Sequence, residues 1–392
     1  MILEVALCLV VLIGAGLLIQ TFRSLYNVRP GFASENVLSF RTPLPSFQYR
    51  GKYDVVSNYY LRLEDRLAAL PGVKSVGAVD RLPLTGTGAT KPFAFDAESE
   101  KRWGDLSAEW RTVTPGYFQA LGTRLIAGRF FTEKDDVDAP FVAIVDENLA
   151  RRAWPNENPV GKMLKAPLSG NGKLQVATNQ WVEAVGVVET ISNVTLRDST
   201  QLQVYLPFYQ QPSLTIYMVA KTQGDPSAML NAAQEAVGYL DKEVPVADVQ
   251  WMDDYVSSAM SRERLSLALM SVFGILALGL AAVGVFGLFF HIVSAQTREV
   301  GIRLALGATP GNIFGRVIRQ GMALALIGLL IGVATALFAT GLLRNLLFGV
   351  EPTDWMTFAW ASALLLAVAL IACVMPARRA MLVEPVEALR HE

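Results

Sequence analysis

The sequence predicts a membrane α-helical protein with four transmembrane helices and a large α+β extracytoplasmic domain of two lobes. Three observations predict it. The chain has 392 residues, 52% of them hydrophobic and only 18% charged, with a mean hydropathy of +0.35. That is too apolar for an ordinary soluble chain and too polar for one made of spans alone. Four apolar runs are long enough to cross a bilayer. Residues 23–264, between the first two runs, alternate strand and helix patterns instead.

The first span, 1–22, has an apolar run from about Ile2 to Ile19 that is broken only by Glu4. It lacks a basic n-region and an A-x-A-like cleavage site, so it reads as an uncleaved anchor. A chain that begins almost inside a span is expected to be a fragment or one half of a longer protein. The second run, 265–293, would be about 43 Å long at the helical rise. That exceeds the roughly 30 Å hydrocarbon core, so it is expected to project beyond the membrane. The third run is 320–343. The fourth is 355–375, opening with Trp355 and Trp360, which suit an interfacial belt. Arg298, Arg303, Arg316 and Arg319 lie in the loop 294–319, and Arg378, Arg379 and Arg390 in the tail 376–392. The loop 344–354 holds Arg344 with Glu351 and Asp354. The positive-inside rule therefore puts loop and tail in the cytoplasm and residues 23–264 outside.

Within the outer domain, Val37 to Pro43 reads as a strand, Tyr53 to Leu70 as a helix and Val73 to Val79 as a second strand. Val56, Tyr60, Leu63, Leu67 and Leu70, at three- and four-residue spacing, predict the helix. A second such unit runs from the strand Thr215 to Lys221, through a helix from Pro226 to Leu240, to the strand Val246 to Trp251. The two units predict one split β-α-β lobe, 36–84 and 213–252, interrupted by an inserted β-rich lobe, 85–212. Inserted strands are expected at 110–113, 141–145, 181–188 and 203–206. Short helices are expected at 115–121 and 147–154, and loops at 86–88 and 169–172. From Asp253 to Leu265 the chain is expected to turn helical and run into the second span.

Several chemistries lack their residues. There is no G-x-x-x-x-G-K-[ST], so this chain binds no nucleotide by a P-loop. The only histidines are His291 and His391, which excludes a Ser-His-Asp triad or a zinc set in the outer domain. The sequence therefore predicts no catalytic, metal or cofactor residues, and a net charge of −1 gives no field for nucleic acid. Cys8 and Cys373 both fall in apolar runs and read as small buried hydrophobes. Adjacent acids such as Asp135-Asp136 read as solvated turns or caps, and Asn193-Val-Thr195 is a sequon frequent by chance. The spans lack buried charges beyond Glu4, against a secondary transporter. They carry small residues instead. Gly328, Gly332 and Ala336 form an i,i+4 stripe on the third span, read as a helix-packing face.

The loop around 296–310 is the most basic short loop of the chain. As a helix it would pair Glu299 with Arg303 at i,i+4, stop at Gly307, and restart at Thr309-Pro310. The physics alone leaves two readings, a docking helix or a cytoplasmic turn with topology charges.

Thr297-Arg-Glu-Val-Gly-Ile-Arg-Leu-Ala-Leu-Gly-Ala-Thr309 resembles the cytoplasmic loop of the MacB/FtsX-type ABC transporter permeases. Pro376-Ala-Arg-Arg-Ala380 and Glu384-Pro-Val-Glu-Ala-Leu-Arg390 look like that family's C-terminal end. Val113-Thr-Pro-Gly-Tyr-Phe-Gln-Ala-Leu-Gly122, Ala127-Gly-Arg-Phe-Phe131 and Asn158-Pro-Val-Gly-Lys162 resemble its periplasmic core domain. The resemblance implies a bacterial inner-membrane permease of an export system, with ATP bound by a partner ABC ATPase. It implies a second permease chain, either an identical copy or the other half of a tandem protein, and leaves a periplasmic adaptor open. Arg298, Glu299, Gly301, Arg303, Gly307 and Ala308 would rest on the ATPase. Motion would pass along spans one and two to the outer domain. The alternative within the resemblance is an FtsX-like regulator of an envelope enzyme with no transported substrate. A membrane-anchored enzyme lacks its catalytic residues.

Overall fold

The computed structural model describes residues 2–26, 30–85, 88–168, 178–193, 201–223, 226–295, 310–342, 347 and 349–381. The chain forms two compact units, one of residues 1–27 and 261–392, the other of residues 28–260.

The unit 28–260 is built on a mixed sheet of eleven strands. Strands β1 (Val37–Pro43) and β2 (Val73–Val79) are joined by helix α3 (Tyr53–Ala68), with the short helix α2 (Ser46–Tyr49) before it. Strands β10 (Thr215–Thr222) and β11 (Ala247–Trp251) are joined by helix α7 (Pro226–Leu240). The two units interleave. β10 lies between β1 and β2, and β1 lies between β10 and β11, all pairings being antiparallel. Each β-α-β unit therefore brackets a strand of the other, so neither folds as a neighbouring pair, and the lobe is a single β-α-β-β-α-β weave. Val56, Tyr60, Leu63 and Leu67 of α3 are buried, and with Met229, Ala233, Ala236 and Val237 of α7 they pack on Leu38, Phe40, Ile216 and Met218. Truncating Leu63 or Leu67 to Ala costs about 2–5 kcal/mol.

The insertion is not a separate sheet. β2 pairs with β4 (Ser107–Val113) through Val79 and Val113, and the sheet continues through β9 (Gln203–Pro207), β6 (Val142–Asp146), β8 (Thr178–Val188) and β5 (Leu125–Gly128). The pairs β4–β9 and β6–β8 are parallel. Five short elements exceed the sequence expectation: α2, β3 (Thr90–Pro92), α4 (Ala97–Lys101), β5 and β7 (Met163–Leu168). Trp110, Val145, Leu164, Val182, Val204 and Leu206 form the core on one face of this lobe, beneath α6 (Glu147–Ala153). The opposite face buries charge. Arg111 donates to Glu109 at 2.7 Å, and both side chains are almost wholly buried. Asp146 caps α6 by accepting from Leu149 N, and also accepts from Gln203 N and the Thr190 hydroxyl. Burial still pushes its carboxyl up to about 6.

Helix α8 (Met252–Ala259) ends in a turn at Met260. The expected continuous helix into the second span is therefore two helices, the second being α9 (Ser261–Ala295). The membrane unit comprises α1 (Ile2–Tyr26), α9, α10 (Pro310–Leu342) and α11 (Trp355–Met381). Each contains a stretch long and apolar enough to span a bilayer. α9 has 35 residues, about 52 Å at the helical rise. α10 starts at Pro310 and continues unbroken through the third span. α11 runs past Pro376 to Met381, so the tail begins later than the proline suggests. Proline is tolerated in membrane helices because neighbouring groups re-satisfy the freed carbonyl.

Candidate functional site

The membrane unit is organised around α1. In its most apolar window 44% of residues are buried, against 17–22% in the other three helices. It packs against α9, α10 and α11. Val5, Cys8, Leu9, Ile13 and Leu17 from α1 form the core with Ala281 and Val285 of α9, Ala336 of α10, and Ala361, Leu365 and Cys373 of α11. Without a hydrophobic drive between helices in lipid, such packing depends on close approach at small residues.

Each seam has its small residue. On α10, a Cβ at Gly328 would lie 2.8 Å from Val5 Cβ, and one at Gly332 would lie 3.1 Å from Ala6 Cα. Ala336, one turn on, is fully buried. The stripe Gly328, Gly332, Ala336 is thus the bed on which α1 lies. On α9, a Cβ at Gly284 would meet the Glu4 carboxylate at 2.5 Å. Towards α11, a Cβ at Gly16 would lie 2.6 Å from the Thr357 methyl. The far ends of α1 and α11 are latched by polar groups. Asp354 Oδ2 accepts from Gln20 Nε2 at 2.9 Å and from Thr357 N and Oγ1 at 3.0 and 2.7 Å. These hydrogen bonds, the Thr357 hydroxyl first, hold the Asp354 carboxyl below the usual carboxylate range. Sequence reasoning missed this latch, although Asp354 three residues before Thr357 at a helix start is a capping pattern.

Of the residues singled out in the sequence, Arg298, Glu299, Gly301, Arg303, Gly307 and Ala308 lie outside the described residues, as do Thr309, most of the 344–348 stretch and Val194-Thr195 of the sequon. The helices that bound the basic loop are described: α9 ends at Ala295 and α10 starts at Pro310. Among the described residues, no group of three or more His, Cys, Asp or Glu is placed to hold a metal ion.

In the outer unit, the link between the lobes is made by the segment around α5 (Tyr117–Ala120). Thr114 Oγ1 accepts from Ala78 N at 2.8 Å and bonds Glu64 Oε1 at 3.3 Å. A Cβ on Gly77 would lie 2.2 Å from Tyr117 N, and one on Gly116 would lie 1.9 Å from Val76 O. Backbone therefore rests on backbone where β2 meets the insertion. Burial pushes the Glu64 carboxyl up to about 8, against the lowering effect of its Thr114 hydrogen bond.

Two family models match the chain. Residues 1–236 match the MacB-like periplasmic core domain, and residues 271–385 match the FtsX-like permease C-terminal domain. The chain is 22% identical over 359 residues to an uncharacterized ABC transporter permease, YknZ, of Bacillus subtilis (strain 168). That match covers 87% of this chain and 86% of the relative. It is 25% identical over 292 residues to the macrolide export ATP-binding/permease protein MacB of Sodalis glossinidius (strain morsitans). There the match covers 71% of this chain and 43% of the relative, so this chain spans less than half of that protein. The periplasmic region of MacB from Actinobacillus actinomycetemcomitans aligns with a TM-score of 0.36 and 16% identity, covering 61% of this chain and 98% of that structure.

Proposed function

The chain belongs to the MacB/FtsX-type ABC transporter permeases, and from that premise we propose that it is the permease subunit of an export system working by transmission of mechanical force. It is a multi-pass membrane protein whose unit 28–260 is the extracellular domain. The observation that carries the proposal is the position of α1. It packs against all three other membrane helices, and in the sequence it is the span that directly precedes the outer unit. A force applied to the bundle from the cytoplasm reaches α1 whichever helix receives it.

The source of that force is a partner ABC ATPase, which holds the ATP. The docking element is the loop 296–309, with Arg298, Glu299, Gly301, Arg303, Gly307 and Ala308 as its contact residues. α9 and α10, which flank the loop, pack on or beside α1, so displacement of the loop bears on the same shaft. Beyond Glu4 the sequence of the four apolar runs carries no Asp, Glu, Lys or Arg, which supports cargo being handled by the outer domain on the periplasmic side of the bacterial inner membrane. A second permease chain completes the complex. The test is co-purification in detergent with an ATPase encoded near this chain. Glu299→Lys and Gly301→Trp are expected to lose the ATPase while still inserting in the membrane. Full ATPase recovery with both variants would sink the docking assignment.

A further inference from the structure

At the end of the membrane unit where α1 finishes and α11 begins lies a cavity of about 450 Å3, lined by Gln20, Arg23, Ser24, Glu351, Asp354 and Trp355 among others. Its floor is preformed. The Asp354 carboxylate already receives hydrogen bonds from Gln20 and Thr357, which fixes α1 against α11. The other polar walls are uncommitted. Among the described residues, the Arg23 guanidinium, the Glu351 carboxylate and the Ser24 hydroxyl have no hydrogen-bond or ion-pair partner. Arg23 and Glu351 thus face one cavity with opposite charges and do not close on each other.

Such a pair complements a ligand with an anion and a cation on a short spacer. Arg23 matches a phosphate through charge-assisted hydrogen bonds. Glu351 matches an ammonium that can donate hydrogen bonds. A bare phosphate would gain Arg23 but face repulsion from Glu351 and Asp354. The level of the cavity names the source. Trp355 is 74% exposed at the first residue of α11, the position of an aromatic interfacial belt, and Arg23 and Ser24 are the last two residues of the candidate span of α1. We propose that this cavity binds the head group of an outer-leaflet phosphoethanolamine lipid, with the phosphate on Arg23 and Ser24 and the ammonium on Glu351. The lipid would cover the latch between α1 and α11. This needs only the outer position of this end of α1 and not the ATPase, so it stands or falls separately from the export reading.

The test is native mass spectrometry of the full chain in detergent, titrated with phosphatidylethanolamine or phosphatidylglycerol. Wild type is expected to retain the ethanolamine lipid about fivefold better, since the glycerol head group offers Glu351 no cation. Arg23→Ala is expected to weaken that binding about tenfold. Glu351→Gln is expected to keep the chain folded and make the two lipids equal. Equal retention by wild type, or wild-type retention by Arg23→Ala, would overturn the proposal. Displacement of the lipid by inorganic phosphate would also overturn it, assigning the cavity to a soluble anion.

Discussion

Gly77 and Gly116 are where single atoms decide the outer domain. β2 and the start of α5 touch through backbone, and a methyl group on Gly77 has only 2.2 Å to Tyr117 N and 2.4 Å to Tyr117 Cα. Backbone cannot rotate away as a side chain can. Gly77→Ala is expected to destabilise the chain by about 1–3 kcal/mol, the usual cost of overpacking, seen as a lower melting temperature in detergent. An unchanged melt would mean that the two segments part freely. Glu64 sits beside the same contact and has the opposite problem, a charge that burial resists. Its folded carboxyl lies at about 8 against an ordinary value of 4.5. A raised folded value means that the protonated form is favoured by folding. The associated stability is fully present below about 4.5 and is lost as pH rises through about 8, on the order of 1 kcal/mol per pH unit between them. Glu64→Gln removes the titration. Relative to the variant, wild type is expected to lose thermal stability between pH 5 and 8, as read from melts across that range. Parallel melting curves would contradict the burial of this group.

Elements with a strong period were legible before their partners were. The three- and four-residue spacing of Val56, Tyr60, Leu63 and Leu67 marks α3, because one face of a helix meets one core. The apolar runs mark the four membrane helices for the same kind of reason, a uniform solvent along their length. Strand order was not legible. That β10 enters between β1 and β2 depends on pairing across more than a hundred residues of insertion, and nothing in the local pattern of either strand records it. The short elements β3, α4 and β5 were missed because three to five residues carry no measurable period. The turn at Met260, between α8 and α9, has neither Gly nor Pro to announce it. At the candidate site, the stripe Gly328, Gly332, Ala336 could be read as a close-packing face, but not that α1 lies on it. That contact makes the α1–α10 seam sensitive to added volume, because part of what a Cβ on Gly332 would meet is the backbone of Ala6. Gly332→Leu is expected to push α1 off α10 and raise hydrogen exchange of α1 amides in detergent, with Gly279→Leu as the control. A Cβ at Gly279 meets nothing within 4 Å. Equal exchange in both variants would remove α10 as the bed of α1.

At the scale of the whole molecule, two compact units are joined where α1 leaves the membrane unit and where α9 enters it. Leu269 on α9 and Trp360 on α11 are exposed, while other side chains of both helices join the core around α1, so a shift of either helix bears on α1. This arrangement suits a part that is moved rather than a pore that is opened. The central claim is that ATP use by the partner rearranges this bundle, and a distance within it is the most direct reading. Nitroxide labels at Leu269→Cys and Trp360→Cys, with Cys8 and Cys373 replaced by Ala, place one probe on α9 and one on α11. Pulsed electron resonance on the complex with its ATPase is predicted to give different distance distributions in the nucleotide-free and ATP-bound states, and a single distribution when Glu299→Lys is added. One unchanging distribution in a complex that still hydrolyses ATP would contradict the account.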